Sequence, residues 1–464
     1  MAAAGARTLD STLLREYDIR GVVGETLTAE DARVIGLAFG TILARDRGHS
    51  VAVGYDGRLA SPELEKALVA GLTAAGMSVT RIGLGPTPML YYAAHELETA
   101  GAVMVTGSHN PPGYNGFKFS RRGKPFYGAD IQELGRVAAK GEFASGVGMS
   151  GEREMLDAYV ERLARDYRGA RKLRIVWDPG NGAAGEAVTR LVRRLPGRHM
   201  VINGVIDGRF PAHHPDPTVE SNLAQLKESV TRGKYDLGFA FDGDGDRIGV
   251  VDGRGRVLWG DQILVLLAAE VLKDEPQSTV IADVKASQVF FDEIRRLGGK
   301  PLMWKTGHSL IKAKMQELRA PLAGEMSGHI FFRHRYYGFD DALYAAVRLL
   351  SVVASAEKSL AEMRDALPQM ANTPEIRFDC AENRKFKVIE EARERLKAAP
   401  GLEVNDVDGV RVTTADGWWL LRASNTQAVL VARCESRTEE GLVRLKAALA
   451  EQLSLSKVKV PDLG

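Results

Sequence analysis

Short apolar runs alternate with helical patterns along the first part of the chain. Apolar runs at 51–58, 77–88 and 101–105 predict strands, residues at helical spacing over 29–45, 61–75 and 88–97 predict helices, and Ser61 is the expected N-cap of the second helix. Strands that alternate with helices usually form a mostly parallel sheet with helices on its faces. The N-terminal segment is therefore predicted to be an α/β domain.

The same strand, turn and helix pattern returns twice, at intervals of roughly a hundred residues. It begins again at 173–185, followed by a helix at 186–194, and at 278–288, followed by a helix that ends at Arg296. A further helix is expected over 152–168. The repetition indicates three related α/β modules in tandem, with mixed, mostly parallel sheets.

The pattern changes after Pro368. Strands are predicted at 376–380, within 410–424 and at 428–436, helices at 382–399 and 438–453, and a loose tail at 454–464. Strands that follow one another directly favour antiparallel pairing, so this part is predicted to be a smaller α+β domain. Glycine-rich turns at 146–151 and 253–255 mark the other boundaries. The predicted domains are 1–150, 151–255, 256–368 and 369–464.

Composition narrows the class of protein. The 464 residues are 45% hydrophobic and 26% charged, as in soluble globular proteins. Because 62 basic and 60 acidic residues nearly balance, nothing suggests a nucleic acid or an acidic membrane as partner. Cys380 and Cys434 match no CxxC pattern and are expected to be buried thiols. Without a signal peptide or a long apolar stretch, the expected location is the cytoplasm.

The segment Thr106–Lys118, TGSHNPPGYNGFK, places a hydroxyl in a loop too rich in glycine and proline for a helix or regular strand. The loop follows the apolar strand 101–105, at the kind of strand end where α/β proteins place their chemistry. Ser108 is a candidate nucleophile or phosphate carrier, with His109 beside it and Lys118 as a nearby cation. A surface turn with a capping serine is the alternative.

A second loop, FDGDGDR, carries three carboxylates between two strands. Asp242, Asp244 and Asp246 alternate with glycines, so in an extended segment they would point to one side. Such a group favours a hard divalent cation, and Mg²⁺ leaves positions open for phosphate oxygens. The adjacent Arg247 suits a phosphoryl oxygen. An EF-hand is disfavoured because its twelfth position is Gly253, and a solvated acidic turn is the other alternative.

Four more loops or turns carry polar side chains, and one motif is a decoy. Glu325, Ser327 and His329 lie in GEMSGH, His308 in KTGHSLIK, Lys285 in a strand turn, and Arg422, Ser424, Asn425 and Thr426 in RASNT, a set suited to phosphate. GNGAAG at 180–185 matches a dinucleotide fingerprint, with Asp207 at a fitting distance. Asp178 and Pro179 within the turn favour a structural role for these glycines instead. P-loop and GxSxG motifs are absent from the sequence.

The four motifs TGSHNPPGYNGFK, DGDGDR, GEMSGH and RASNT together resemble the α-D-phosphohexomutase family, most closely its bacterial phosphomannomutase/phosphoglucomutase branch. They occur in the family's order over nearly the whole chain. The resemblance implies three related α/β domains and a smaller fourth domain around a central cleft. One departure is Gln427-Ala428, where many relatives have a proline.

The resemblance also implies roles for the candidate residues. Ser108 would carry the phosphoryl group and bind Mg²⁺ with Asp242, Asp244 and Asp246. The transferred group would be surrounded by Arg20, His109, Lys118 and Arg247, with Lys118 as base or acid. The sugar phosphate would be contacted by Tyr17, Lys285, His308, Glu325, Ser327 and His329, and its other phosphate would be held by Arg422, Ser424, Asn425 and Thr426. The fourth domain would move on a hinge near 367–372.

The implied activity is the interconversion of hexose 1-phosphates and 6-phosphates of mannose and glucose, through a phosphoserine and a 1,6-bisphosphate, with glucose 1,6-bisphosphate as activator. Partners would be small sugar phosphates, and the oligomeric state stays open, a monomer being compatible. Phosphoglucosamine mutase is the nearest alternative, although Thr106-Gly107 and Met326 favour the hexose branch. A metal-dependent sugar phosphatase and a non-catalytic sugar-phosphate sensor are alternatives from other classes.

Overall fold

The computed structural model describes residues 6–397, 399, 402–425 and 427–463. Its strands form four sheets that follow one another along the chain. Each sheet marks one domain, and the fold class predicted from the sequence is confirmed. The domain boundaries at 150, 255 and 368 remain predictions.

The first domain is a seven-stranded mixed sheet between helices. Its strands are β1 (Ile19–Val22), β2 (Ser50–Tyr55), β3 (Ser78–Leu84), β4 (Gly101–Val105), β5 (Tyr114–Arg121), β6 (Lys124–Pro125) and β7 (Ser150–Glu152), and its helices are α1 (Ala29–Arg45), α2 (Ser61–Ala74), α3 (Thr87–Glu96) and α4 (Ala129–Lys140). The order is β1-β5-β4-β2-β3-β7, with β6 on β5. Strands β4, β2, β3 and β7 run parallel to one another, whereas β5 runs antiparallel to both β4 and β1.

The second and third domains have smaller sheets of related design. The second contains α5 (Leu156–Ala164), β8 (Arg174–Asp178), α6 (Gly185–Leu191), β9 (Arg198–Val201), a 3₁₀ turn (Glu220–Leu223), α7 (Ala224–Gly233), β10 (Leu237–Phe241), β11 (Ile248–Asp252) and β12 (Val257–Leu258). The third contains α8 (Gly260–Asp274), β13 (Thr279–Asp283), α9 (Gln288–Arg296), β14 (Lys300–Trp304), α10 (His308–Leu318), β15 (Leu322–Gly324), β16 (Ile330–Phe332), α11 (Ala342–Ser355) and α12 (Leu360–Asp365). Strand orders are β12-β11-β10-β8-β9 and β14-β13-β15-β16.

The fourth domain is antiparallel. It contains β17 (Ala371–Asn372), β18 (Ile376–Asp379), α13 (Glu382–Lys397), β19 (Glu403–Asn405), β20 (Val410–Thr414), β21 (Gly417–Ala423), β22 (Val429–Ser436) and α14 (Glu439–Leu455). Its order is β17-β22-β21-β20-β19, with β18 also on β22. The domain has its own apolar core, whereas one continuous core links the first three domains. Cys380 and Cys434 are buried free thiols, as predicted.

Three local predictions from the sequence are wrong. Ser61 does not cap α2; its hydroxyl donates to Asp56, and Ala60 occupies the cap position. The helix expected over 152–168 is limited to Leu156–Ala164, because Ser150–Glu152 instead pairs with β3. The C-terminal segment is not a loose tail, since Val458, Val460 and Leu463 pack against the core of the fourth domain. Within the part of the chain that is described, no helix has the length and apolar character needed to cross a membrane.

Candidate active site

The serine loop begins directly after the carboxyl end of β4, as predicted. Ser108 has φ of 47°, in the left-handed region that non-glycine residues seldom adopt, and the residue is 2% exposed. Its Oγ donates to Asp242 Oδ2 over 2.7 Å and lies 3.2 Å from His109 Nδ1. Burial and the nearby Arg247 lower the pKa of His109 well below its ordinary value. The serine therefore faces a carboxylate and a neutral imidazole.

The acidic loop follows β10 and is a tight turn, so the prediction of an extended segment is wrong. The three carboxylates still converge, because Gly245 has φ of 75° and Asp242 Oδ1 accepts the backbone N–H groups of Asp246 and Arg247. Asp242, Asp244 and Asp246 are all 0% exposed. Each offers one oxygen within 4.8 Å of the others.

The chemistry of this turn fits a hard divalent cation. Asp244 Oδ1 and Asp246 Oδ1 are buried without a hydrogen-bond partner among the described residues. Buried carboxylate oxygens of this kind are costly unless a cation or a donor satisfies them. Burial and the two neighbouring carboxylates raise the pKa of Asp242 well above its ordinary value. A divalent cation would relieve that repulsion.

Lys118 supplies a positive charge to the acidic loop. It lies on β5 opposite Met104 of β4, and its Nζ is 2.7 Å from Asp244 Oδ2 and 2.5 Å from Asp246 Oδ2. Although burial acts to lower the pKa of Lys118, the two carboxylates outweigh it and hold the pKa well above its ordinary value. The two carboxylates therefore favour the charged ammonium form of Lys118.

Two histidines from the third domain stack beside the acidic loop. The rings of His308 and His329 are 5.5 Å apart at an angle of 21°. His329 Nε2 accepts from Arg247 Nε over 2.9 Å, and His329 Nδ1 is 3.0 Å from Asp340 Oδ2. Burial and Lys312 lower the pKa of His308 well below its ordinary value. The stack therefore offers nitrogen acceptors next to the carboxylates.

Glu325 and Ser327 organise a neighbouring loop. Glu325 Oε1 accepts from the backbone N–H of Gly307 over 2.5 Å, and Ser327 Oγ donates to Glu325 Oε2 over 3.2 Å. The first contact joins the GEMSGH loop to the turn that begins α10. Both loops follow parallel strands of the third sheet, so they meet at one edge of that sheet.

The remaining candidates form a group where the first, third and fourth domains meet. Tyr17 OH donates to Thr306 O over 2.7 Å and accepts from Asn425 Nδ2 over 2.6 Å. Arg422 Nε donates to Asp408 over 3.0 Å. Lys285 Nζ is 2.8 Å from Glu375 Oε2 of the fourth domain. Ser424 accepts from the backbone N–H of Gln427, and Thr426 lies outside the described residues.

Hydrogen bonds to other residues of the first domain fix the position of Arg20. Its Nε donates to Asp18 Oδ2 over 2.8 Å, and its Nη1 lies 3.3 Å from Thr106 O. The carboxylates Asp18, Asp244 and Asp246 raise the pKa of Arg20 even though burial opposes them. Arg20 is thus a permanent cation beside the serine loop.

The glycines of GNGAAG support the acidic loop. Ala183 N donates to Gly243 O over 2.9 Å, and a Cβ on Gly182 would lie 2.9 Å from that same oxygen. Asp178, the last residue of β8, accepts from His213 Nε2 and from Asn203. The close approach of two backbones explains why glycine is needed at position 182.

Four residues that no sequence motif predicted lie against the candidate residues: Lys312, Asp340, Glu375 and Asp408. Asp340 receives Lys312 Nζ at 2.9 Å as well as the His329 contact, and both side chains are buried. Asp408 and Glu375 fix Arg422 and Lys285. An available signal was the pair Asp340-Asp341 directly before an apolar helix, whereas Lys312 looks like an ordinary surface lysine in the sequence.

Four family models match the chain in succession. Their descriptions are phosphoglucomutase/phosphomannomutase α/β/α domain I over residues 11–145, domain II over 157–255, domain III over 259–371 and the C-terminal domain over 375–452. The matches follow the order of the four sheets.

Individual relatives agree with these models over the full length. A phosphomannomutase/phosphoglucomutase of Pseudomonas aeruginosa is 44% identical over 461 residues, which is 99% of each chain. A phosphoglucomutase of Neisseria gonorrhoeae is 41% identical over 437 residues, covering 94% of this chain and 95% of its own. The crystal structure of a phosphoglucomutase/phosphomannomutase family protein from Burkholderia thailandensis superimposes with a TM-score of 0.91 at 42% identity, covering 98% of this chain and 99% of the other.

Proposed function

Because the chain belongs to the phosphoglucomutase/phosphomannomutase family, we propose specific residues and intermediates for its activity as a phosphohexomutase. The enzyme interconverts hexose 1-phosphates and hexose 6-phosphates of mannose and glucose. The observation that carries the assignment of residues is the contact of 2.7 Å between Ser108 Oγ and Asp242, inside a buried acidic turn that Lys118 also reaches. A serine at such a place can carry a phosphoryl group whose charge is balanced.

In the proposed reaction, the free hydroxyl oxygen of a hexose monophosphate attacks the phosphorus of phospho-Ser108. The hydroxyl proton passes to His329 Nε2, whose ring is oriented by Asp340, once Arg247 Nε leaves this nitrogen to contact the phosphoryl oxygens. The bond from Ser108 Oγ to phosphorus breaks, and Lys118 donates a proton to that oxygen. The product is a 1,6-bisphosphate, which turns over and returns its other phosphoryl group to Ser108.

Asp242, Asp244 and Asp246, together with an oxygen of phospho-Ser108, would hold Mg²⁺. The bound ion would neutralise charge on the transferred group. Arg20 and Arg247 would contact the same phosphoryl oxygens. Arg422, Ser424, Asn425 and Thr426 would hold the other phosphate, aided by Lys285, and Tyr17, His308, Glu325 and Ser327 would contact the sugar. Glucose 1,6-bisphosphate would phosphorylate Ser108 and so activate the enzyme.

A mutase assay tests this proposal. Purified protein is given Mg²⁺, a trace of glucose 1,6-bisphosphate and either glucose 1-phosphate or mannose 1-phosphate, and the 6-phosphate and free phosphate are both followed. We expect isomerisation of both sugars and a loss of about 10³-fold or more in Ser108→Ala, because the substitution removes the oxygen that carries the phosphoryl group.

Other outcomes of the assay have distinct meanings. Phosphate release without isomerisation would reject the mutase and indicate a sugar phosphatase. Turnover of glucosamine phosphates alone would indicate a phosphoglucosamine mutase, and binding without turnover would indicate a sensor. Full activity of Ser108→Ala would remove Ser108 from the reaction.

We further infer that the partners are small sugar phosphates, without nucleic acid or membrane, and that the enzyme works in the cytoplasm as a monomer. The near balance of 62 basic and 60 acidic residues supports the first inference. Sedimentation of the purified protein tests whether the enzyme is a monomer.

A further inference from the structure

The guanidinium of Arg58 lies directly beneath the serine loop. Arg58 ends the turn after β2 and is 2% exposed. Its Nη1 donates to Pro111 O over 2.6 Å and to Tyr114 O over 3.0 Å, and its Nη2 donates to Ser108 O over 2.7 Å and to Asn110 O over 2.5 Å. One side chain thus satisfies four carbonyl oxygens of a loop that contains the candidate nucleophile.

These carbonyls need a donor of this shape. The loop turns these carbonyls toward Arg58, and a buried carbonyl left without a partner destabilises the folded state. A planar guanidinium presents several N–H groups in a fixed fork, which a lysine or a neutral side chain cannot reproduce. The loop and Arg58 are therefore matched to each other.

Other groups fix Arg58 from both sides. Asp56 Oδ2 lies 3.3 Å from Arg58 Nε and also accepts from Thr106 Oγ1 and the backbone N–H of Gly107. A Cβ at Gly107 would lie 2.3 Å from Arg58 Nε, so only glycine allows this approach. On the other side, the ring of Phe210 from the second domain lies 5.2 Å from the guanidinium carbon.

The loop transmits this restraint to the reacting oxygen. Ser108 adopts φ of 47°, an unfavourable conformation for serine that its surroundings must enforce. Arg58 holds the carbonyl of Ser108, while the side chain of the same residue donates to Asp242. In the described structure, Arg58 makes no hydrogen bond to Ser108 Oγ or to the carboxylates of Asp242, Asp244 and Asp246, and its hydrogen bonds to the loop end on backbone carbonyls.

We propose that Arg58 is a positioning residue for the phosphoryl transfer: its four carbonyl contacts keep Ser108 in the left-handed conformation that directs Oγ to Asp242. This inference rests on the proposed function of Ser108. A displacement of about 1 Å at a reacting atom can reduce a rate by about 100-fold. The sugar and distal-phosphate loops belong to other domains, so substrate binding is expected to persist without Arg58.

The test compares Arg58→Met and Arg58→Lys with a matched control, Arg348→Met. Arg348 is also fully buried and donates to His334 O, but it lies in the third domain beside Glu270 and Tyr344. We expect kcat to fall by about 100-fold in Arg58→Met and by about tenfold in Arg58→Lys, with KM for glucose 1-phosphate within about threefold of wild type. Arg348→Met should lower thermal stability with kcat within about threefold.

A second measurement does not depend on activity. Amide hydrogen exchange of the peptide covering residues 106–114 should accelerate by about tenfold or more in Arg58→Met, and stay unchanged in Arg348→Met. If wild type proves inactive as a mutase, the proposed function fails, whereas the exchange experiment still decides whether Arg58 holds the loop.

Two results would overturn the proposal. One is a folded Arg58→Met with wild-type kcat or with wild-type exchange in the serine loop. The other is an equal fall of kcat in Arg348→Met, which would show that any buried arginine has the same effect. Should Arg58→Met fail to fold, Arg58→Lys is judged by the same two criteria.

Discussion

Lys118 and Ser108 reach the acidic turn from the same end of one antiparallel strand pair. Ser108 follows β4, and Lys118 lies on β5, with which every residue of β4 pairs. The register places a permanent cation within 2.7 Å of Asp244 and the hydroxyl of Ser108 within 2.7 Å of Asp242. At the scale of single residues, a hydroxyl group and an ammonium group thus share one cluster of carboxylates.

This arrangement leads to a prediction for Lys118→Met. We expect kcat to fall on the order of 10³-fold, because the oxygen of Ser108 loses its proton donor. The affinity for Mg²⁺ should rise, since Lys118 no longer competes for Asp244 and Asp246. Steady-state kinetics and calorimetric titration with Mg²⁺ measure the two effects.

Lys124→Met is the control, because Lys124 lies exposed on β6. It should match wild type in both measurements. A Lys118→Met enzyme within threefold of wild-type kcat would exclude Lys118 as the proton donor.

At the scale of elements, caps and pairing partners decide where each helix begins. The helix expected over 29–45 is found over Ala29–Arg45, because Thr28 and Asp31 form a capping box directly before an apolar pattern. The start of α5 could not be predicted in this way, since residues 150–152 pair with a strand that lies far away in the sequence. The start of a helix is thus hidden from local signals where the residues before it pair with a distant strand.

Asp341 at the start of α11 gives a prediction for the dependence of stability on pH. Its carboxylate accepts from Tyr159 OH, Tyr336 OH and the backbone N–H of Tyr344, and burial raises its pKa from 3.8 to about 6. The folded protein keeps this proton at pH values where the unfolded chain has released it. The free energy of unfolding therefore decreases as pH rises from about 4 to about 6.

Asp341→Asn cannot ionise and should lack this decrease. Relative to wild type, its free energy of unfolding should shift upward by roughly 3 kcal/mol between pH 4 and pH 7. Urea unfolding at a series of pH values measures the shift, with the surface variant Asp292→Asn as control. A difference between Asp341→Asn and wild type that does not vary with pH would contradict the prediction.

At the scale of the whole molecule, polar contacts tie the fourth domain to the first and third. Lys285 pairs with Glu375, Tyr17 OH receives Asn425, and Asp408 accepts from the backbone N–H of Thr306. Although burial acts to raise the pKa of Glu375, Lys285 outweighs it and holds the pKa below its ordinary value. These contacts would stabilise a closed arrangement of the cleft if the fourth domain moves on the hinge expected near 367–372.

Glu375→Gln should therefore favour a more open molecule. We expect KM for glucose 1-phosphate to rise on the order of fivefold with kcat nearly unchanged, because part of the binding energy must then close the domain. Small-angle X-ray scattering without substrate should show a larger radius of gyration. Glu382→Gln, which removes an ion pair with Lys385 inside the fourth domain, should change neither quantity. An unchanged scattering curve for Glu375→Gln would argue against this role.

The four motifs and the class of fold could be found from the sequence because their chemistry is local. Glycine, proline and aspartate at set spacings dictate tight turns, and a strand that alternates with a helix dictates a layered sheet. The partners of those motifs could not be found in this way. Asp340 beside His329, Arg58 beneath Ser108 and Glu375 against Lys285 are contacts between residues on different elements, and no spacing along the chain encodes them. Such contacts exist only after the domains pack, because burial makes each charge depend on what the fold places next to it.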